Sequence, residues 1–316
     1  LVEQQRGWTP DVFGTYASSE YILNVFGFLN FSKYSERFDD NLGMLDAILA
    51  LKWINENIES FGGDSSCVTL FGESAGAGVI SALLVCDEAT PLFHRAIMES
   101  NCWECYHDTA LEEIMVMKFL ELLEITPENV DEILSMSYEK LFTAVNALDM
   151  FMCEKYFLRC TYAPVIDGTL LKEFPTLSKM ENLDKDILIG SNRNEGNYQA
   201  ALYKVTEANA AHCRDLMFQF LSSDDRTKLE KCYSIPEVQA MADIFTDVLY
   251  MFPKIQFAEH VSDNSKKNVY VYRYDYVTQY QKQVNLLSCH VSELIPLFNC
   301  SLTGYRTWMA GDEETL

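Results

Sequence analysis

The sequence predicts an α/β fold, a mostly parallel sheet covered by helices on both faces. Three observations lead there. Short apolar runs such as Cys67–Phe71 and Ile187–Gly190 are continuous rather than alternating, as expected of strands buried on both sides. They are separated by segments whose apolar residues recur near the 3.6-residue helical period. No run approaches the roughly eighteen consecutive apolar residues of a membrane span, so no span is expected. A chain of 316 residues can form one large domain or two ordinary ones. With no internal repeat and no low-complexity linker, residues 1–316 read as a single domain whose helical blocks are insertions and crossovers.

The elements follow in order. Residues 21–29, YILNVFGFL, are apolar and aromatic and read as a buried strand running into a turn. Asn41 is placed to cap a helix carrying Leu42, Leu45, Ile48, Leu49, Trp53, Ile54 and Ile58, which Gly62-Gly63-Asp64 stops. The Cys67–Phe71 run is a strand, followed by a helix of small residues over about 76–84 and another strand over 95–98. From about 109 to 147 the chain is helical and acidic, with Pro127 opening its second segment. A strand at 187–190 ends in the loop 191–196; helices occupy about 206–262, and VYVYRYDY at 269–276 is a late strand.

Composition narrows the function classes. A formal charge of −23 excludes nucleic acid and anionic membrane surfaces as partners, since both need basic patches. The acidic residues, such as Glu112, Glu113, Glu121 and Glu124, are dispersed among predicted helices and form no block. Among ten cysteines, Cys153 and Cys160 are close enough in sequence to pair as a disulfide. Cys102 and Cys105 form a C-x-x-C, but no second pair or histidine follows at a zinc-like spacing, so no metal site is expected. The sequons at Asn30 and Asn299 fit a glycoprotein of the secretory pathway. The opening residues LVEQQRGWTP have neither the basic nor the apolar region of a signal peptide, and the natural N-terminus is expected to lie upstream.

The motif that carries chemistry is LFGESAGAG, residues 70–78. It sets Ser74 in a G-x-S-x-G pattern directly after a strand, where a sharp turn into a helix would expose the hydroxyl. Gly72 and Gly76, at minus two and plus two, are expected where the crossing backbones leave no room for a Cβ. A serine hydroxyl needs a histidine to take its proton, and that histidine needs a carboxylate to orient it. It also needs donors for the developing oxyanion, and the N–H of Ala75, the residue after the nucleophile, is one. In this architecture the chain order is nucleophile, acid, base. Glu195 follows a strand as such an acid should, although an Asn-Glu-Gly turn is also ordinary loop chemistry. Of five histidines, His94 and His107 precede the acid, and His107 reads as a surface residue. His212 and His260 sit in helical segments. His290, in an irregular stretch after the late strand, is the best base on order alone.

The stretch from Asn41 to Ser100, with its FGGD and GESAG blocks, resembles the type-B carboxylesterase/cholinesterase family. The likeness continues at VFGFL (25–29), YAPVIDG (162–168), ILIGSNRNEG (187–196) and CHVSELIPLF (289–298). The resemblance implies an α/β-hydrolase fold, incomplete at both ends, and residues 1–20 match nothing in the family. It implies Ser74 as nucleophile, Glu195 as acid and His290 as base, with no cofactor and a small-molecule ester as substrate. It places Glu73 as a buried structural anion and Ser100 beside the triad, and it leaves room for Trp103 in an acyl pocket. The chain departs from the family at Ile22, at Asn101 and Val291 where glycine is usual, and in lacking any His-Gly pair. Two functions fit: an ester hydrolase working through an acyl-enzyme, or a non-catalytic interaction domain of the kind the family uses in adhesion.

Overall fold

The computed structural model describes residues 15, 17, 21–101, 106–156, 160–180, 183–219, 221–233 and 238–298. Its centre is a sheet of four strands in the order β1 (Thr69–Glu73), β2 (Arg95–Glu99), β5 (Asp186–Asn192) and β6 (Val269–Tyr274). All three pairings are parallel: Glu73 lies opposite Glu99, Glu99 opposite Gly190, and Asn192 opposite Tyr274. The strands therefore end on one edge of the sheet, and residues 73–74, 99–101, 192–195 and 275–290 are gathered there. Two short strands, β3 (His107–Asp108) and β4 (Val165–Ile166), make a separate parallel pair.

The helices are α1 (Asn24–Phe28), α2 (Leu42–Asn57), α3 (Ala75–Leu83), α4 (Thr109–Leu123) and α5 (Tyr138–Lys155) before β4. Then come α6 (Gly196–Leu202), α7 (Ala210–Met217), α8 (Ser223–Cys232), α9 (Val238–Phe245) and α10 (Phe252–Asn264) between β5 and β6. Short helices α11 (Gln279–Gln283) and α12 (Leu294–Phe298) follow. Ala96, Met98, Ile187 and Ile189 of the sheet are buried with α2 residues Met44 and Ile48, with Ala77 and Ile80 of α3, and with Phe257 and Val261 of α10. A second core joins α4 and α5 through Met115, Phe119, Leu120 and Leu148. A third joins α6, α7 and α9 through Ala200, Cys213, Met241 and Phe245. At about 25 cal/mol per Å² of apolar surface, each of the large buried side chains contributes roughly 2 kcal/mol.

Four expectations are corrected here. The run 21–29 is not a strand: it contains the helical turn α1, with Asn24 entering at φ 50. Gly27 permits the fold-back, because a Cβ there would lie 1.9 Å from the Ile22 carbonyl oxygen. Asn41 occupies the N-cap position of α2 at φ 53 but makes no side-chain cap bond. Its amide instead reaches across the chain, donating to the Val165 carbonyl (3.0 Å) and Asp167 Oδ2 (2.9 Å) and accepting from the Val165 N–H (2.8 Å). The expected Cys153–Cys160 disulfide is absent: Cys153 is an exposed free thiol, and the Cys160 thiol lies against the Tyr162 carbonyl at 3.3 Å. His107 is not on the surface; it is fully buried, with Nε2 2.7 Å from the Cys160 carbonyl oxygen.

Half-buried Asn30 accepts the Asn41 N–H on its side-chain oxygen (2.9 Å), which ties that sequon to the start of α2. Asn299, the Cys102–Cys105 pair and Trp103 lie outside the described residues. Among the described residues no helix is long and apolar enough to cross a membrane, and no cluster of His, Cys, Asp or Glu is arranged to hold a metal ion.

Candidate active site

At the end of β1 the chain turns sharply at Ser74, whose φ of 56 and ψ of −117 are costly for a residue with a side chain. The Ser74 N–H is fixed to the Glu99 carbonyl at the end of β2 (2.9 Å). The first intrahelical bond of α3 runs from Gly78 N–H to the Ser74 carbonyl (3.0 Å), which leaves the N–H groups of Ala75, Gly76 and Ala77 without an acceptor in the helix. The close approach expected of the elbow is present at Gly72, where a Cβ would lie 2.8 Å from the Gly76 carbonyl carbon. At Gly76 it is not: a Cβ there would meet nothing within 4 Å. Gly76 supplies the backbone that crowds Gly72 and is not itself crowded.

The other two residues come from the ends of β5 and β6, stitched together by the loops. Arg193 N–H bonds the Tyr274 carbonyl (2.9 Å) and Asn194 N–H the Ser288 carbonyl (2.9 Å). Asn192 does the most. Its N–H donates to Glu195 Oε1 (2.6 Å), and its amide donates to the Cys289 carbonyl (2.8 Å) and to Glu293. Gly196 lets α6 press on α9, since a Cβ would lie 2.0 Å from the Ala242 carbonyl oxygen.

Ser74, His290 and Glu195 are thereby brought into one hydrogen-bonded line. His290 Nε2 is 2.8 Å from Ser74 Oγ, and Nδ1 is 2.7 Å from Glu195 Oε2. Glu195 is fully buried, and its other oxygen also accepts the Ser100 hydroxyl at 2.5 Å. The rings of Tyr250 and Tyr198 flank His290 with centroids 4.9 and 5.9 Å away. Ser100 is beside the line, as the resemblance implied. Glu293, Asn192 and the two tyrosines are additions that the sequence reading missed. Only the spacing of Glu293, three residues past His290, was available to suggest it.

Carboxyl groups crowd this edge of the sheet. Glu73 Oε1 lies 3.1 Å from His290 Nε2 without a hydrogen bond to it, whereas Ser74 Oγ is bonded there. Burial pushes the Glu73 carboxyl up to about 8, with its neighbours Glu293, Glu195 and Glu99 opposing its ionisation and His290 favouring it. Burial likewise pushes Glu99 up to about 7 and raises Glu293. Glu73 is therefore mostly a neutral acid near pH 7, not the structural anion expected. Raised carboxyls bind their protons more tightly in the folded state than in the unfolded one. Their contribution to stability is complete below the ordinary value of 4.5 and is lost as pH rises through about 7 and 8. The melting temperature is expected to fall between pH 5 and 8.5, and Glu73→Gln should flatten that fall; a slope equal to the parent's would show that Glu73 does not titrate there.

Val291, directly after His290, sits at φ 68, a left-handed conformation that a β-branched residue rarely adopts. This is the position where the resembling family usually has glycine, and the backbone accounts for that preference. Val291→Gly is expected to relieve about 1–2 kcal/mol of strain, read as a higher midpoint in chemical denaturation. A lower midpoint would mean that the half-buried Val291 side chain is worth more than the strain it causes.

The remaining histidines lie outside this line. His94 Nδ1 accepts the Val68 N–H (3.1 Å), His260 Nε2 lies 2.5 Å from the Ser178 carbonyl oxygen, and His212 is in α7. A cavity of about 210 Å³ opens beside Ala75, walled by Tyr21, Leu23, Phe28, Val79, Tyr162 and Pro164.

Residues 17–316 match the model of the carboxylesterase family. The chain belongs to the carboxylesterase family. It is 32% identical to a para-nitrobenzyl esterase of Bacillus subtilis (strain 168) over 258 residues, 81% of this chain and 52% of that protein. It is 30% identical to an acetylcholinesterase of Leptinotarsa decemlineata over 300 residues, 84% of this chain and 47% of the other. The chain thus spans about half the length of the curated relatives it matches. Among solved structures, a thermophilic PNB esterase superposes with a TM-score of 0.77 at 30% identity, covering 91% of this chain and 58% of that one. The family's α/β-hydrolase architecture is the one expected from the sequence.

Proposed function

We propose that this chain carries the active site of a serine hydrolase that cleaves carboxylic esters through an acyl-enzyme. The observation that carries the reading is the line Ser74 Oγ–His290 Nε2 at 2.8 Å and His290 Nδ1–Glu195 Oε2 at 2.7 Å. Ser74 Oγ attacks the ester carbonyl carbon while His290 Nε2 takes its proton. The tetrahedral oxyanion is met by the Ala75 N–H, pointing outward at the start of α3. Collapse breaks the bond to the alcohol oxygen, which takes the proton from His290 and leaves as the alcohol. Water then attacks the acyl-Ser74 ester with His290 as base, releasing the carboxylic acid and restoring the serine.

Glu195 holds the Nδ1 proton and thereby keeps Nε2 free to accept. The cavity beside Ala75 offers apolar room for one substituent of the ester; at about 210 Å³ it exceeds the roughly 150 Å³ that encloses a benzene ring. The test is hydrolysis of p-nitrophenyl acetate, with acid quench and mass mapping of the acetyl group. Turnover above the Ser74→Ala background with acetate on Ser74 is expected. Equal rates in the two proteins would overturn the reading and leave a non-catalytic interaction domain.

A further inference from the structure

Behind the carboxylates lies a buried cation that the steps above do not use. Lys254, on α10, is 4% exposed, and its ammonium donates to Ser191 Oγ at 2.7 Å; Ser191 is itself 1% exposed. Ser191 immediately precedes Asn192, whose N–H and side chain hold Glu195, the Cys289 carbonyl and Glu293. An ammonium taken out of water is costly unless an opposite charge answers it.

We propose that Lys254 is a positioning residue whose buried positive charge, anchored on Ser191, offsets Glu195 from behind and keeps the resting His290 unprotonated. The proposal rests on the esterase reading for its purpose, though not for its test.

The charges around it fix the sign. Burial pulls the Lys254 pKa down, Glu195 attracts the ammonium and raises it, and Arg273 of β6 repels the ammonium and lowers it further. Arg273 is turned to Asp275 (2.7 and 2.8 Å) and is exposed. Tyr272 of β6 is half-buried and keeps its proton, raised by burial and by the nearby Glu293, Glu99, Glu195 and Glu73. Asp186 lies at the opposite end of β5, and Asp247, in the π-helical stretch before α10, accepts from Tyr233 (2.6 Å). Glu259, His260 and Asp263 are on α10 itself. His290 faces Glu73 and Glu195 directly, with Glu293 beyond Ser100. The Glu195 carboxylate at His290 Nδ1 therefore favours a charged imidazole, and Lys254 is a buried cation that opposes it. Removing this charge makes protonation of His290 easier and ionisation of Glu195 harder; both changes move the onset of activity to higher pH.

The test is a titration of the His290 ring by NMR in histidine-labelled protein, which needs no turnover. Lys254→Gln keeps a donor for Ser191 without the charge, and the His290 midpoint is expected to rise by about one pH unit. Lys254→Arg, which keeps the charge, is expected to leave the midpoint near the parent's. A Lys254→Gln protein that folds with an unmoved midpoint overturns the proposal, as does an equal rise in Lys254→Arg. A lowered melting temperature without a midpoint change would mark Lys254 as merely structural and would equally overturn it. The acidic limb of fluorophosphonate labelling should move with the midpoint. A titration that shifts in protein that never labels would sink the esterase reading alone.

Discussion

Replacing His290 with alanine is expected to lower kcat for ester hydrolysis by about a million-fold, and adding Ser74→Ala should cost almost nothing more. The two act as one unit. With the imidazole gone, Ser74 Oγ loses its acceptor at 2.8 Å, and a hydroxyl alone is a poor nucleophile at neutral pH. Glu73 lies close to the same nitrogen and could be imagined as a replacement base. Burial holds its carboxyl at about 8, so near neutral pH it already carries a proton and cannot take another. Since His290 favours Glu73 ionisation, its removal raises that carboxyl further, so residual activity in His290→Ala should grow only towards the alkaline end of the range and vanish in the double variant with Glu73→Gln. Steady-state rates from pH 6 to 9.5 check both statements; a loss of less than a hundred-fold would mean that His290 is not the base.

Glu195→Gln is expected to lower kcat by about ten thousand-fold without unfolding the protein. The reason is tautomeric. Glu195 Oε1 accepts two donors, the Asn192 N–H and the Ser100 hydroxyl, and Oε2 accepts from His290 Nδ1. In a glutamine the amide oxygen keeps the two donors, so the amide NH₂ faces Nδ1. That forces the imidazole proton onto Nε2, where it points at Ser74 and cannot accept from it. Glu195→Asp, an acceptor one methylene shorter, should lose less. Measured kcat values check the order, and a glutamine variant as active as the aspartate one would remove the tautomer argument.

Much of this site could be read from the sequence because its constraints are local. The elbow demands small residues within two positions of Ser74, and Gly72 is there because the Gly76 backbone lies against it. The order of Ser74, Glu195 and His290 along the chain, each after an apolar strand, follows from a parallel sheet whose strands end on one edge. What escaped is what depends on distant pairing. Asn192, Glu293 and Lys254 look ordinary in sequence and acquire meaning only from partners some 60 to 100 residues away. Glu73 reads as a buried anion and is instead mostly neutral, since desolvation, and then three other carboxyls arriving at the same edge, raise it. The run at 21–29 misled because apolar residues alone do not separate a strand from a helical turn, and the left-handed Asn24 is what decides it. Val291 marks the converse: a departure in sequence that the backbone shows to be strained in place.

The central claim is that Ser74 is an activated nucleophile. Folded protein exposed to an active-site-directed fluorophosphonate, digested and mapped by mass, is expected to carry one phosphonyl group, on Ser74, and Ser74→Ala is expected to carry none. A folded parent that stays unlabelled, or a Ser74→Ala protein labelled as fast as the parent, would contradict it.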